Sequence, residues 1–427
     1  MLKILVINEV SPHIKNRASI IFEKIIPILL KKNEIKVFWL SYDHKINDES
    51  IDSPYELLHV SKFKNAKEVI EKTKPDLIYL TPGLSIIDYA FLLTARVLQI
   101  PTFGWVNSNQ MFSPTGTNVK RQLKIFFNES FIKNKINENN SEFKVVTYLK
   151  KNLFLIRSMR KNGSTYNYII REIIKNFKLI FIYELQENEK YTKFNCDLLL
   201  VENELTVDQP HNLGLSKNNM KLVGDPTYDL PFEEKYIEIK NEIKNEIKIL
   251  FITTNFTAGQ GKSSWSLEKQ NQMIKELIKE YIKNKGKISL KIKIHPISEK
   301  YSDYEKILEK YNTNIQIFQH EDIFKLIKEA DVILAPSAST AGLIALIMKK
   351  PIIVWDYFNI KGDIFLNEKI TMNCNKISEI NDCVLNRMKF MQENELVINN
   401  FIKKFCGEGN AAQKIADAVN ELVLKIK

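Results

Sequence analysis

The chain has 427 residues, more than one hydrophobic core commonly organises, so two domains are expected. Its 44% hydrophobic and 26% charged residues are those of a globular protein and exclude a disordered or fibrous one. The longest apolar runs, such as residues 89–93, are too short to cross a bilayer, and the net charge of +11 is concentrated in one stretch.

The opening MLKILVINEV stays apolar only as far as Asn8 and Glu9, so it is expected to be a first core strand rather than a secretory signal. Residues 18–32 have apolar side chains at Ile21, Phe22, Ile25, Ile26 and Leu29, the spacing of a helix with one buried face. IKVFWLSY is a strand, and so is 75–80, entered by a Lys-Pro-Asp turn. A helix over 85–98 leads through Ile100-Pro101 into a strand at 102–106. This βα alternation predicts a parallel sheet with helices on both faces.

Residues 112–180 are less regular and strongly basic, with fourteen Lys and Arg against four acids. Two readings stay open. The stretch is a solvated helical excursion, or it is a surface that meets an anionic membrane or an anionic acceptor. Nucleic acid is not expected as a partner, since no DNA- or RNA-binding motif accompanies the charge. The four cysteines lack metal-ligand spacing and are expected to be reduced and buried in a cytoplasmic protein without metal or cofactor.

Order returns with a strand ending near Glu202. Residues 231–248 are charged and poor in apolar side chains, as an interdomain connection would be. A second βα series follows, with strands at 247–254, 290–295, 315–318, 332–335 and 352–355. Helices are expected at 267–283, 304–311, 323–329 and 340–348. Residues 1–235 are therefore expected to be one Rossmann-like domain carrying the basic insertion at about 112–180, and residues 236–410 a second. Residues 411–427 are expected to form a closing helix.

In open parallel sheets, ligands bind beyond the carboxyl ends of the strands. On that rule the second half gathers Thr254, Asn255, Gly259, Gly261 and Lys262 behind its first strand and His295-Pro296 behind its second. Gln319 follows its third strand, and Ser337, Ser339 and Thr340 follow its fourth. The three hydroxyls stand where a helix begins, beside free N–H groups and the positive end of the helix dipole. The set suits a diphosphate or phosphodiester. Singly, each residue has an ordinary alternative as a cap, a strand end or a surface loop; the joint placement carries the argument. TTNFTAGQGKSS approaches a phosphate-binding P-loop, but Phe256 replaces its first glycine, so a P-loop is not expected.

The second half resembles the donor-binding domain of GT-B fold glycosyltransferases. It is similar to the bacterial surface-glycan branch that includes sialyltransferases, Kdo-transferases and CDP-glycerol glycerophosphotransferases. The matching stretches are KIHP at His295-Pro296 and ADVILAPSASTAGLIALIMKKPIIV around Ser337, Ser339 and Thr340. KLVGDPTYD before the connection and GEGNAAQKIADAV at the end are also similar. The resemblance implies two doubly wound α/β domains facing a cleft, with the acceptor on the first and a nucleotide-sugar on the second. It implies a metal-independent transfer to a cell-surface glycan or lipid-linked acceptor at the inner face of the membrane. His295 and the hydroxyls would contact the donor phosphate. Glu9, at the end of the first strand, is the positional candidate for a catalytic base, with His13 and Asp43 behind it.

The chain departs from the family pattern in two places. No carboxylate follows the Ser/Thr motif, where Gly342-Leu343-Ile344-Ala345 stands, and the first half has no paired-acid-Gly motif. Two alternatives keep the fold: a non-hydrolysing UDP-sugar 2-epimerase, and a non-catalytic protein that binds membrane or polymer.

Overall fold

The structure is a computed structural model. It describes residues 1–8, 11–12, 17–42, 55–80, 86–106, 144–181, 196–204, 217–234, 246–254, 267–296, 299–359 and 363–425. The chain divides into two units, Met1–Pro226 with Asn410–Lys427, and Thr227–Gly409.

The first unit is built on strands β1 (Leu2–Asn8), β2 (Ile35–Ser41), β3 (Tyr55–His59), β4 (Leu77–Tyr79), β5 (Thr102–Val106), β6 (Leu198–Val201) and β7 (Met220–Leu222). They form a sheet in the order β3-β2-β1-β4-β5-β6-β7, and every pairing is parallel. Successive residues of β1 enter opposite cores. Ile4 and Val6 pack with Phe22, Ile25 and Leu29 of α1 (Arg17–Leu30). Leu5 and Ile7 pack with Val69 and Ile70 of α2 (Ala66–Thr73) and Phe91 of α3 (Ile86–Leu98). Burial on both faces is why these strands read as continuous apolar runs.

The basic stretch is more regular than expected. Its described part is two helices, α4 (Lys144–Lys161) and α5 (Tyr166–Phe181). Phe154, Leu155, Met159 and Ile169 join the α2–α3 core, because they recur at helical spacing on one side of each helix. Ser158 accepts from the Ala66 amide at 2.9 Å, and Tyr89 donates to Glu172 at 2.8 Å.

The second unit has β8 (Ile247–Ile252), β9 (Ile288–Lys293), β10 (Gln316–Phe318), β11 (Val332–Ala335), β12 (Ile352–Trp355) and β13 (Met372–Cys374). Their order is β10-β9-β8-β11-β12-β13, again wholly parallel. Its longer helices are α6 (Leu267–Lys283), α7 (Tyr301–Tyr311), α8 (Ile323–Glu329), α9 (Thr340–Ile347), α10 (Ile380–Glu393) and α11 (Glu395–Cys406). Sequence periodicity missed β3, β7, β13 and α2, which are short, α10, whose apolar face is weakly segregated, and α11. Pro226 begins a short helical segment, Pro226–Tyr228, and Pro231 lies inside the next, Asp229–Glu233.

The last helix, α12 (Ala411–Leu424), belongs to the first unit. Ala412, Ile415, Ala416 and Val419 complete the core beneath α1. Gly224 adopts φ +96°, open to glycine with little strain, and a Cβ there would stand 3.1 Å from Ala411 Cβ. Its carbonyl accepts from Trp105 Nε1 at 3.1 Å. That close approach accounts physically for the glycine in KLVGDPTYD.

Candidate functional site

The site is built at the carboxyl ends of β9, β8 and β11. These strands are adjacent, with β8 hydrogen-bonded to both others. Their parallel directions bring His295, Thr254 and the 337–340 turn to one edge of one sheet. With neighbouring strands about 4.8 Å apart, the tips of β9 and β11 lie roughly 10 Å from each other. The sheet order reverses direction between β8 and β11, which is where open α/β sheets bind ligands.

His295 stands two residues beyond β9 on a turn held from below. Its backbone N–H donates to Thr253 Oγ1 at 3.0 Å and to Glu299 Oε2 at 2.6 Å. Glu299 is buried and also accepts from Gln270 Nε2 at 2.6 Å, from the Tyr304 hydroxyl at 2.7 Å, and from the Thr253 hydroxyl. Every one of these partners donates, so the cluster suits an ionised carboxyl. Burial pushes the Glu299 pKa up, and the donors pull it back. Burial and the neighbouring carboxylate hold the Tyr304 phenol well above its ordinary value, so it remains a donor.

Lys293 fixes the other side of the turn. Its Nζ donates to the carbonyls of Ile294 at 3.1 Å and Gln319 at 2.7 Å. Burial pushes its pKa down, and Glu321 and Glu299 oppose that shift. Gln319 is committed to the same scaffold. Its side-chain amide donates to the carbonyls of Pro296 at 3.3 Å and Glu299 at 2.9 Å. Burial, followed by the Lys293 charge, lowers the His295 pKa, so the imidazole is neutral at physiological pH.

On the far side of β8, Ser339 is the N-cap of α9, and its Oγ accepts from the Gly342 amide at 3.2 Å. The first-turn amides of Thr340 and Ala341 have no partner among the described residues, and both residues are half-buried. Ser337 is buried in the turn before them. The Ala338 amide donates to Asp363 Oδ2 at 2.7 Å, while Asp363 Oδ1 accepts from the amides of Phe365 and Leu366. That carboxylate ties the turn to the loop after β12. Gly342 is required by packing: an added Cβ would stand 2.5 Å from the buried Phe365 ring. Thr254 Oγ1 is buried and, among the described residues, has no hydrogen-bond partner.

The structure thus brings together Thr254, His295, Pro296, Gln319, Ser337, Ser339 and Thr340. Glu9, His13, Asp43, Asn255, Gly259, Gly261 and Lys262 lie outside the described residues. Of the other edge residues, Asp322 caps α8 and Trp355 turns into the core, edge-on to Tyr357 at 5.1 Å. Among the described residues no group of His, Cys, Asp and Glu forms a metal-ligand set. Sequence reading missed Thr253, Gln270, Lys293, Glu299 and Asp363, which hold the site without standing in its motifs. A glutamate four residues after the histidine of a His-Pro pair was the one visible hint.

Comparison with solved structures places this architecture. The wall teichoic acid polymerase TagF superposes with a TM-score of 0.55 at 10% identity, covering 99% of this chain and 89% of that one. The chain has the GT-B fold. Another GT-B relative, the UDP-GlcNAc 2-epimerase of Neisseria meningitidis bound to UDP-GlcNAc, gives 0.53 at 14% identity over 98% of this chain and 100% of that one. HepE of Anabaena in complex with UDP gives 0.51 at 10% identity over 99% and 100%. Residues 240–363 match the family model of capsule polysaccharide biosynthesis proteins, a stretch that contains the whole described edge and both carboxylates that hold it. The resemblance read from the His-Pro and Ser/Thr motifs is borne out in this GT-B fold and family match. No curated protein matches the chain by sequence at a significant level.

Proposed function

We propose that the protein is a glycosyltransferase that moves a sugar from a nucleotide-activated donor to a cell-surface glycan or lipid-linked acceptor, at the cytoplasmic face of a membrane. The observation that carries the reading is the edge formed by β9, β8 and β11. On that edge stand the neutral His295 imidazole, the Thr254 hydroxyl, which has no partner among the described residues, and the Thr340 and Ala341 amides at the start of α9. These are hydrogen-bond donors held in place by buried scaffolding, the arrangement that stabilises charge growing on a leaving phosphate. His295 donates from its ring N–H. The amides of Thr340 and Ala341, with Ser337 and Ser339, take further phosphate oxygens.

Lys262, with Asn255, Gly259 and Gly261, completes the anion cradle in this proposal, and Glu9 serves as base toward the acceptor hydroxyl. Charge neutralisation then comes from donors and cations rather than a divalent metal, so turnover should persist in EDTA. UDP and UDP-GlcNAc are what the solved relatives hold, and they are the first ligands to try.

The test is a thermal-shift and calorimetric screen against UDP, CMP, CDP, GDP and their sugar derivatives, followed by turnover with the best donor. His295→Ala should lower turnover at least tenfold while the melting profile and far-UV spectrum persist. Wild-type turnover in that folded variant would remove His295 from the mechanism.

An epimerase relative of comparable structural similarity keeps a second reading in view. Incubation with a UDP-sugar and no acceptor separates the two, because only an epimerase would alter the sugar. A folded protein with no affinity for any nucleotide would instead support a non-catalytic binding role.

A further inference from the structure

Helices α4 and α5 bury one side in the α2–α3 core and leave the other exposed. On α4 the uncovered stripe is Leu149 (60% exposed), Leu153 (43%), Arg157 and Arg160. On α5 it is Tyr166 (66%), Ile170 (55%) and Ile174 (50%), at i, i+4 and i+8. The two stripes meet where the Arg160 guanidinium lies over the Tyr166 ring, 5.2 Å from its centroid. The surface is therefore continuous across both helices.

Its charge is of one sign. Lys150, Arg157, Arg160, Lys161 and Arg171 are exposed beside the apolar stripe. The one acid among the described side chains of these helices, Glu172, is 4% exposed and turned inward to accept from Tyr89. Single exposed apolar residues are ordinary. Aliphatic residues aligned along two adjoining helices, rimmed by cations and cleared of acids, are not.

We infer that the α4–α5 face docks on an anionic lipid bilayer, with Leu149, Leu153, Tyr166, Ile170 and Ile174 entering the headgroup boundary and the arginines meeting lipid phosphates. Cations alone would serve an anionic polysaccharide equally well. The aligned aliphatic residues decide for lipid, because a polymer of sugars offers them nothing to bury against. Among the described residues no helix is long and apolar enough to cross a membrane, so the contact is one that lies on the surface. The inference adds to the glycosyl-transfer reading a surface on which a lipid-linked acceptor would be met. It stands on α4 and α5 alone.

The test is co-sedimentation of the full chain with vesicles of phosphatidylcholine alone and of phosphatidylcholine with about 30% phosphatidylglycerol, whose negative surface potential attracts basic segments. Binding is expected only to the anionic vesicles. Each neutralised cation weakens binding about fivefold, so Arg157→Gln/Arg160→Gln/Arg171→Gln should weaken it on the order of 100-fold. Ile170→Asn/Ile174→Asn should remove the fraction that survives high salt. Far-UV spectra and nucleotide melting shifts, read on the second unit, confirm that the variants are folded.

Equal binding to neutral vesicles, or vesicle binding unchanged in both variants, would overturn the inference. So would an isoleucine variant that retains lipid binding but loses self-association, which would assign the face to a second copy. Binding is scored without turnover, so its failure leaves the proposed chemistry standing, and the reverse also holds.

Discussion

Removing the Glu299 carboxylate tests the proposed scaffold beneath the His-Pro turn. Four donors converge on it: the His295 amide, Gln270 Nε2, the Tyr304 hydroxyl and the Thr253 hydroxyl. In Glu299→Ala, some can be re-satisfied. The His295 amide keeps Thr253 Oγ1, Gln270 keeps the Tyr304 oxygen at 2.7 Å, and Thr253 can turn to the Lys293 carbonyl at 3.4 Å. The Tyr304 hydroxyl and one Gln270 N–H are left buried without an acceptor, each costing about 1–3 kcal/mol. Lys293 also loses a nearby opposite charge. Release of the carboxylate's own desolvation offsets part of this, leaving a net loss of about 2–4 kcal/mol. For a unit the size of Thr227–Gly409 that is a fall in melting temperature of about 4–16 °C. Differential scanning calorimetry and urea unfolding at pH 7 provide the measurement, with nucleotide affinity taken on the fraction that remains folded. Affinity should fall as well, because the His295 backbone is no longer clamped. A variant melting within one degree of wild type, with unchanged nucleotide affinity, would refute the scaffold.

Gly342→Ala should destabilise the second unit by about 1–3 kcal/mol, since the new methyl meets the fully buried Phe365 ring; a wild-type urea midpoint would show that the ring yields freely. The depressed His295 pKa makes a signed prediction about pH. The folded state binds a proton on this imidazole less readily than the unfolded chain, so the stability carried by neutral His295 is complete above about pH 6.5. It is lost as pH falls through the lower folded-state pKa. The gap in melting temperature between wild type and His295→Gln should therefore narrow or reverse on going from about pH 7 to pH 5, and a gap independent of pH would contradict the assignment.

The regular parts of both sheets were legible because their signals are local. A strand buried on both faces must be apolar throughout, and a helix on a sheet must repeat its apolar side chains every three or four residues. That is why β1, β8, β11 and α9 were read to within a few residues. It is also why Ser339, placed just before an apolar helix, was recognised at a helix start. The strand-end rule then assigns Thr254, His295 and Ser337 to one edge. Short strands such as Tyr55–His59 and Met220–Leu222 gave no such signal, because a few residues carry too little periodicity to separate strand from loop.

Composition and periodicity by themselves determined a repeated βα architecture and the presence of a basic insertion, and the strand-end rule added the sheet edge shared by Thr254, His295 and Ser337. Only the tertiary structure decided what holds that edge. Glu299 reaches Thr253 across 46 positions and Gln270 across 29, and Asp363 reaches Ala338 across 25. The same holds for α12, whose apolar face was plain but whose destination in the first unit was not. Contacts of this kind depend on strand order and register, which bring distant segments within hydrogen-bonding reach and leave no mark at any fixed spacing along the chain.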